Sequence, residues 1–127
     1  MTDNQNVQVL VIEDDTFLSN IYKTKFEMEG FKVITAEDGE AGLKEAQKKK
    51  PDIILLDILL PKMDGYLVLE NLKKDPETKN IPVIMLTNLG QKDDVEKGLE
   101  QGAVDYLIKA HFKPSEVVDK VNKILKK

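Results

Sequence analysis

With 127 residues, 41% hydrophobic and 33% charged, the chain has material for one domain with a core of its own and too little for two. The net charge of −4 argues against a basic nucleic-acid face, and because all 19 basic residues are lysine, bidentate guanidinium recognition is excluded. The absence of cysteine and the single histidine, His111, exclude disulfides, thiolate catalysis and any two-histidine site.

Val7 to Ile12 is an apolar run that reads as a buried strand and ends on Glu13-Asp14-Asp15. From Thr16 the period becomes helical: Leu18, Ile21, Tyr22 and Phe26 share a face, and Gly30 supplies the stop. Phe31 to Thr35 reads as the second strand. Asp38-Gly39-Glu40 opens the second helix, with Gly42, Leu43 and Ala46 on one small-residue face. Lys48-Lys49-Lys50 closes it with charge that the helix dipole favours.

Ile53 to Leu56 is apolar without alternation, which predicts a strand covered on both faces, and it delivers Asp57 to its end. Pro61 and Asp64-Gly65 turn the chain. Tyr66 to Lys74 reads as a helix, Asp75 to Asn80 as a polar loop, and Pro82 to Thr87 as the fourth strand. Lys92 to Gln101 is a polar helix with few apolar anchors and Gly98 inside it, so it is expected to be the least stable. Val104 to Lys109 is the last strand. Pro114 opens a final helix with Val117, Val118, Val121, Ile124 and Leu125 on one face.

Strand and helix alternate five times, which predicts a mostly parallel, doubly wound α/β sheet with helices on both faces. Sites in such sheets lie at the carboxyl ends of the strands. Four strand ends carry complementary groups: Glu13 and Asp14, Asp57, Thr87, and Lys109. If the first and third strands are neighbours, three carboxylates converge, and a hard divalent cation resolves their repulsion. Few carboxylates with room for water suit Mg²⁺. Asp57 could then attack a phosphoryl group as an oxygen nucleophile, with Mg²⁺, Lys109 and the Thr87 hydroxyl on the phosphoryl oxygens. Each residue taken singly is more ordinarily a loop acid, a helix cap, a strand-end threonine or a surface lysine. The functional reading rests on the set.

Val11-Ile12-Glu13-Asp14-Asp15, Leu56 to Gly65, Met85-Leu86-Thr87 and Asp105 to Lys109 together resemble the receiver domain of two-component response regulators, over essentially the whole length. The resemblance implies one receiver domain, residues 1–127 with a core of about 7–125, and a flavodoxin-like (βα)₅ sheet in the order 2-1-3-4-5. It implies that Asp57 accepts a phosphoryl group from a histidine kinase or phosphotransfer protein. It further implies that Asp14, Asp57 and the Leu59 carbonyl hold Mg²⁺ beside Glu13, and that Thr87 and Tyr106 move with phosphorylation while Lys109 pairs with the phosphoryl oxygens. The output face would comprise the Lys92–Gln101 helix, the last strand and the last helix. It would bind a protein target, with no direct nucleic-acid or membrane contact, as a monomer or weak homodimer.

Catalysis would extend only to the domain's own phosphoryl transfer and autodephosphorylation. A cytoplasmic location is expected, since no apolar run approaches a membrane span and the polar N-terminus has no signal core. Two positions depart from the family pattern. Ala110 stands where proline usually follows the lysine, so a trans Lys109–Ala110 bond is expected. Asn88 follows Thr87 where a small residue is usual.

Two other classes are weighed. An aspartyl phosphatase on this topology would want a second acid two residues after Asp57, and position 59 is Leu. A nucleotide or flavin enzyme would want a glycine-rich first turn, and that turn is acidic. A degenerate receiver used only for docking would not need Glu13, Asp14, Asp57, Thr87 and Lys109 together.

Overall fold

A computed structural model describes residues 7–87, 92–109 and 113–126. Its elements run β1 (Gln8–Ile12), α1 (Thr16–Met28), β2 (Lys32–Ala36), α2 (Gly39–Lys49), β3 (Ile53–Asp57), α3 (Gly65–Lys74), β4 (Val83–Thr87), α4 (Lys92–Glu100), β5 (Asp105–Ile108) and α5 (Pro114–Lys126). The strands form one sheet in the order β2-β1-β3-β4-β5, with every described pairing parallel.

The period of two along each strand divides the core between the faces. Val9, Val11, Ile53, Leu55, Ile84 and Leu86 point to one side and pack with Tyr22 and Phe26 of α1 and Val117, Val118 and Val121 of α5. Leu10, Ile12, Ile54, Leu56, Val83 and Met85 point to the other and pack with Ala46 of α2 and Val68, Leu69 and Leu72 of α3. All of Ile53–Asp57 and all of Val83–Thr87 are buried, as uninterrupted apolar runs require in a sheet covered on both sides.

Register places the strand ends. Ile12 pairs with Leu56, Asp57 with Leu86, and Thr87 with Ile108, so the chain leaves β1, β3, β4 and β5 along one edge. The fifth strand is shorter than the expected 104–109: it covers Asp105–Ile108, and Lys109 lies past the last ladder pair. Lys109 sends its side chain into the site described below. Val104 donates its amide to the Val83 carbonyl (2.9 Å) but stays outside the strand, 49% exposed. The second strand likewise begins at Lys32 rather than Phe31, whose ring packs edge-on against Phe26 (5.2 Å).

Candidate functional site

The turn after β1 divides labour among three successive acids. Asp15 is the cap of α1, its carboxylate accepting from the Leu18 amide at 3.1 Å. Glu13 is turned inward, 1% exposed, and accepts from the Asp15 amide through Oε2 (3.1 Å). Asp14 is left exposed at the rim. Across the edge, β3 presents Asp57, 5% exposed. Glu13, Asp14 and Asp57 each offer one carboxylate oxygen, and these oxygens lie within 4.8 Å of one another.

Lys109 meets the buried pair. Its ammonium donates to Asp57 Oδ2 at 3.0 Å and forms an ion pair with Glu13 Oε1 at 2.5 Å. The same ammonium is thus shared between the two buried carboxylates. Burial pushes the Glu13 carboxyl up to about 7; Lys109 opposes this and the charge of Asp57 adds to it. Burial works against the Lys109 ammonium, but its pairing with Glu13 and Asp57 prevails and holds it above the ordinary lysine range. Three acids therefore face one ammonium, a local excess of negative charge in a site with restricted access to water.

The rest of the wall comes from β4 and the β3–α3 loop. Thr87, 5% exposed, lines a cavity of about 320 Å³ together with the acids, Leu18, Ile58, Leu59 and Lys109. The Leu59 amide donates to Asp57 Oδ1 at 3.4 Å while its side chain is 67% exposed, so at this position the backbone belongs to the site and the side chain to its rim. The Ile58 carbonyl accepts from Gly65, and a Cβ at Gly65 would lie 2.2 Å from the Asp57 carbonyl oxygen. Only glycine allows the first turn of α3 to sit against the backbone of the acid. Tyr106, on β5 opposite Met85, is half-buried and packs against the core on the α2–α3 side.

Of the residues singled out from the sequence, Glu13, Asp14, Asp57, Thr87, Lys109 and the backbone of Leu59 share this cavity, and Tyr106 stands on β5 outside its lining. Asn88, Ala110 and His111, and with them the Lys109–Ala110 bond, lie outside the described residues. Leu18 and Ile58 were not anticipated in the wall. Their apolar character marked them only as packing residues.

Comparison with known proteins agrees with this geometry. Residues 9–122 match the model of the response regulator receiver domain. The chain belongs to that family. It is thus a receiver domain of two-component response regulators, a module of phosphorelay signalling. It is 41% identical over 120 residues to the DNA-binding dual master transcriptional regulator RpaA of Synechocystis sp., covering 94% of this chain and 49% of that protein. The chain spans about half the length of the curated relatives it matches. Among solved structures, a putative response regulator from Chloroflexus aurantiacus superposes with a TM-score of 0.89 at 34% identity, covering 96% of this chain and 99% of the other. The receiver domain of a sensor histidine kinase from Pseudomonas aeruginosa, with a magnesium ion coordinated in its active-site cleft, gives 0.87 at 26% identity, covering 96% and 99%.

Proposed function

We propose that Asp57 is the phosphoryl acceptor of this receiver, and that the excess of acid around it is a Mg²⁺ site. The observation that carries the reading is the convergence of Glu13, Asp14 and Asp57 within 4.8 Å beside a lysine. The donor set suits a hard cation: three converging carboxylates, two of them buried and sharing a single ammonium, in a cavity with room for water. Asp14, Asp57 and the Leu59 carbonyl would hold the ion, with Glu13 beside it. Bound there, Mg²⁺ supplies charge neutralisation for the approaching phosphoryl group.

The remaining chemistry belongs to the protein. A carboxylate oxygen of Asp57 attacks phosphorus; the P–N bond of a partner's phosphohistidine breaks, and the leaving imidazole takes a proton. Lys109 turns its ammonium to the phosphoryl oxygens, and Thr87 donates its hydroxyl to another. The product is an acyl phosphate carrying roughly two negative charges. Thr87 and Tyr106 answer that charge, and the face formed by α4, β5 and α5 carries the change to a protein partner. The net charge of −4 and the absence of arginine favour a protein rather than nucleic acid at this face of the domain. The domain would work in the cytoplasm, as a monomer or weak homodimer, catalysing only its own phosphorylation and dephosphorylation.

The test is incubation with a small phosphodonor and Mg²⁺, read by intact mass. One alkali-labile phosphoryl adduct is expected on the parent, and none on Asp57→Asn or after metal removal. An adduct of equal yield on Asp57→Asn would sink the assignment.

A further inference from the structure

The β3–α3 loop, residues 58–64, carries the Leu59 carbonyl assigned to the metal, and it does not stand alone. The first turn of α2 is pressed against it. A Cβ at Gly39 would lie 1.9 Å from the Met63 carbonyl oxygen, 2.8 Å from its carbonyl carbon and 2.8 Å from Val68 Cγ2. The Gly39 amide points at the Pro61 carbonyl (3.4 Å). Asp38 caps α2 through the Ala41 amide (2.7 Å), and its second oxygen lies 3.8 Å from the ammonium of Lys62, a residue held at φ 68°. Pro61, Lys62 and Met63 therefore each meet the start of α2.

We propose that Gly39 is a positioning residue for the metal site, its missing side chain letting the α2 terminus seat the β3–α3 loop so that the Leu59 carbonyl faces the cation. The inference rests on the Mg²⁺ reading above. Two features separate it from a merely structural role. Gly39 is not among the residues of positive φ, so its backbone does not demand glycine. As the first residue of a helix it is also a position where alanine is the better former. Local preference thus predicts that alanine at 39 is harmless or favourable. The close approach predicts otherwise: the obstructing atom is a backbone carbonyl, which cannot rotate away and moves only if the loop moves. The loop's other end is fixed by the Leu59 amide on Asp57 and by the Gly65 amide on the Ile58 carbonyl, so displacement at Met63 is taken up by the segment between, which contains the Leu59 carbonyl.

The experiment measures Mg²⁺ affinity by calorimetry on metal-stripped protein, with backbone amide spectra alongside. Gly39→Ala is expected to stay folded, to shift the amides of 58–64 and to bind Mg²⁺ roughly tenfold more weakly, the scale of lost support around a metal ligand. Glu40→Ala, in the same turn but exposed, is expected to bind like the parent. Parent-like affinity in a folded Gly39→Ala overturns the proposal. A parent that binds no Mg²⁺ overturns the metal reading itself, and the parent measurement alone reveals this. If Gly39→Ala does not fold, Pro61→Gly, which slackens the same clamp from the loop side, decides: weaker Mg²⁺ binding is expected, and unchanged binding overturns the proposal.

Discussion

Replacing Lys109 with methionine removes one charge from the middle of the site while keeping most of the side chain's bulk. In the parent the ammonium lies 3.0 Å from Asp57 and 2.5 Å from Glu13, with 8% of the side chain exposed. At an effective dielectric of about 20, each contact is an attraction of roughly 5–7 kcal/mol before desolvation is counted. A loss of that size is not reached, because a stranded carboxylate takes up a proton instead. Glu13 is already held near 7 in the parent, so the new cost falls on the other carboxylate of the pair; for a carboxylate of ordinary value about 4, proton uptake at pH 7 costs about 4 kcal/mol. The relief is smaller than the Coulomb terms and so sets the ceiling. The metal-free variant should be less stable by about 3 kcal/mol at pH 7, the low end for breaking a buried pair.

The pH dependence follows from the same source. The variant's carboxyl has a folded-state pKa raised above its unfolded value. Its stability is therefore intact below about 4 and is lost as the pH climbs toward neutrality. At pH 5 the proton costs about 1.4 kcal/mol, and the difference from the parent should shrink to about 1. Urea unfolding of both proteins in chelator at the two pH values, compared at equal m, measures it. An equal loss at both pH values would mean that Lys109 contributes packing and not charge, and a gain at pH 7 would refute the electrostatic account outright.

Other outcomes follow from the same contacts. Because burial holds Glu13 near 7 in the metal-free protein, its folded-state pKa also lies above its unfolded value, so this carboxyl withdraws stability as pH rises from 4.5 toward 7. Saturating Mg²⁺ should drive that titration back down, visible in the side-chain carboxyl carbon shift; a titration indifferent to Mg²⁺ would remove Glu13 from the metal pocket. Far from the site, Thr78 is 1% exposed and donates its hydroxyl to the Leu72 carbonyl at 2.7 Å. Thr78→Val should cost about 1–2 kcal/mol in thermal or urea unfolding and leave Mg²⁺ affinity untouched. A matching loss of Mg²⁺ affinity would show that the loop after α3 communicates with the site.

The architecture was legible because its signals are local. The unbroken apolar run at 53–56 marked a strand covered on both faces, and 82–87 read as a strand beside it in the chain order. The apolar face of Val117, Val118 and Val121 marked α5, and the acids at strand ends marked the edge where a site belongs. What was not legible depends on contacts between distant residues. Glu13 and Asp14 were picked out for the strand edge, but that Asp15 is spent as the cap of α1 is visible only in the fold. Lys109 read as the end of a strand, but it lies past the last ladder pair, and its bonds run to Glu13 and Asp57 far back in the chain. Asp38-Gly39 and Asp64-Gly65 read as a helix start and a turn. Their further requirement, that no Cβ intrude on the Met63 and Asp57 carbonyls, comes from neighbours that only the folded sheet supplies. Leu59 likewise gives no local sign that its side chain faces solvent while its amide faces Asp57.

The central claim is that Asp57 itself receives the phosphoryl group, and chemical trapping tests it most directly. Borohydride reduces an acyl phosphate to the alcohol, so a phosphorylated aspartate becomes homoserine and can be located by peptide mass mapping. After treatment with phosphodonor and Mg²⁺, homoserine is predicted at position 57 alone. Homoserine at position 14, or a reduced glutamyl residue at 13, with Asp57 intact would contradict the account.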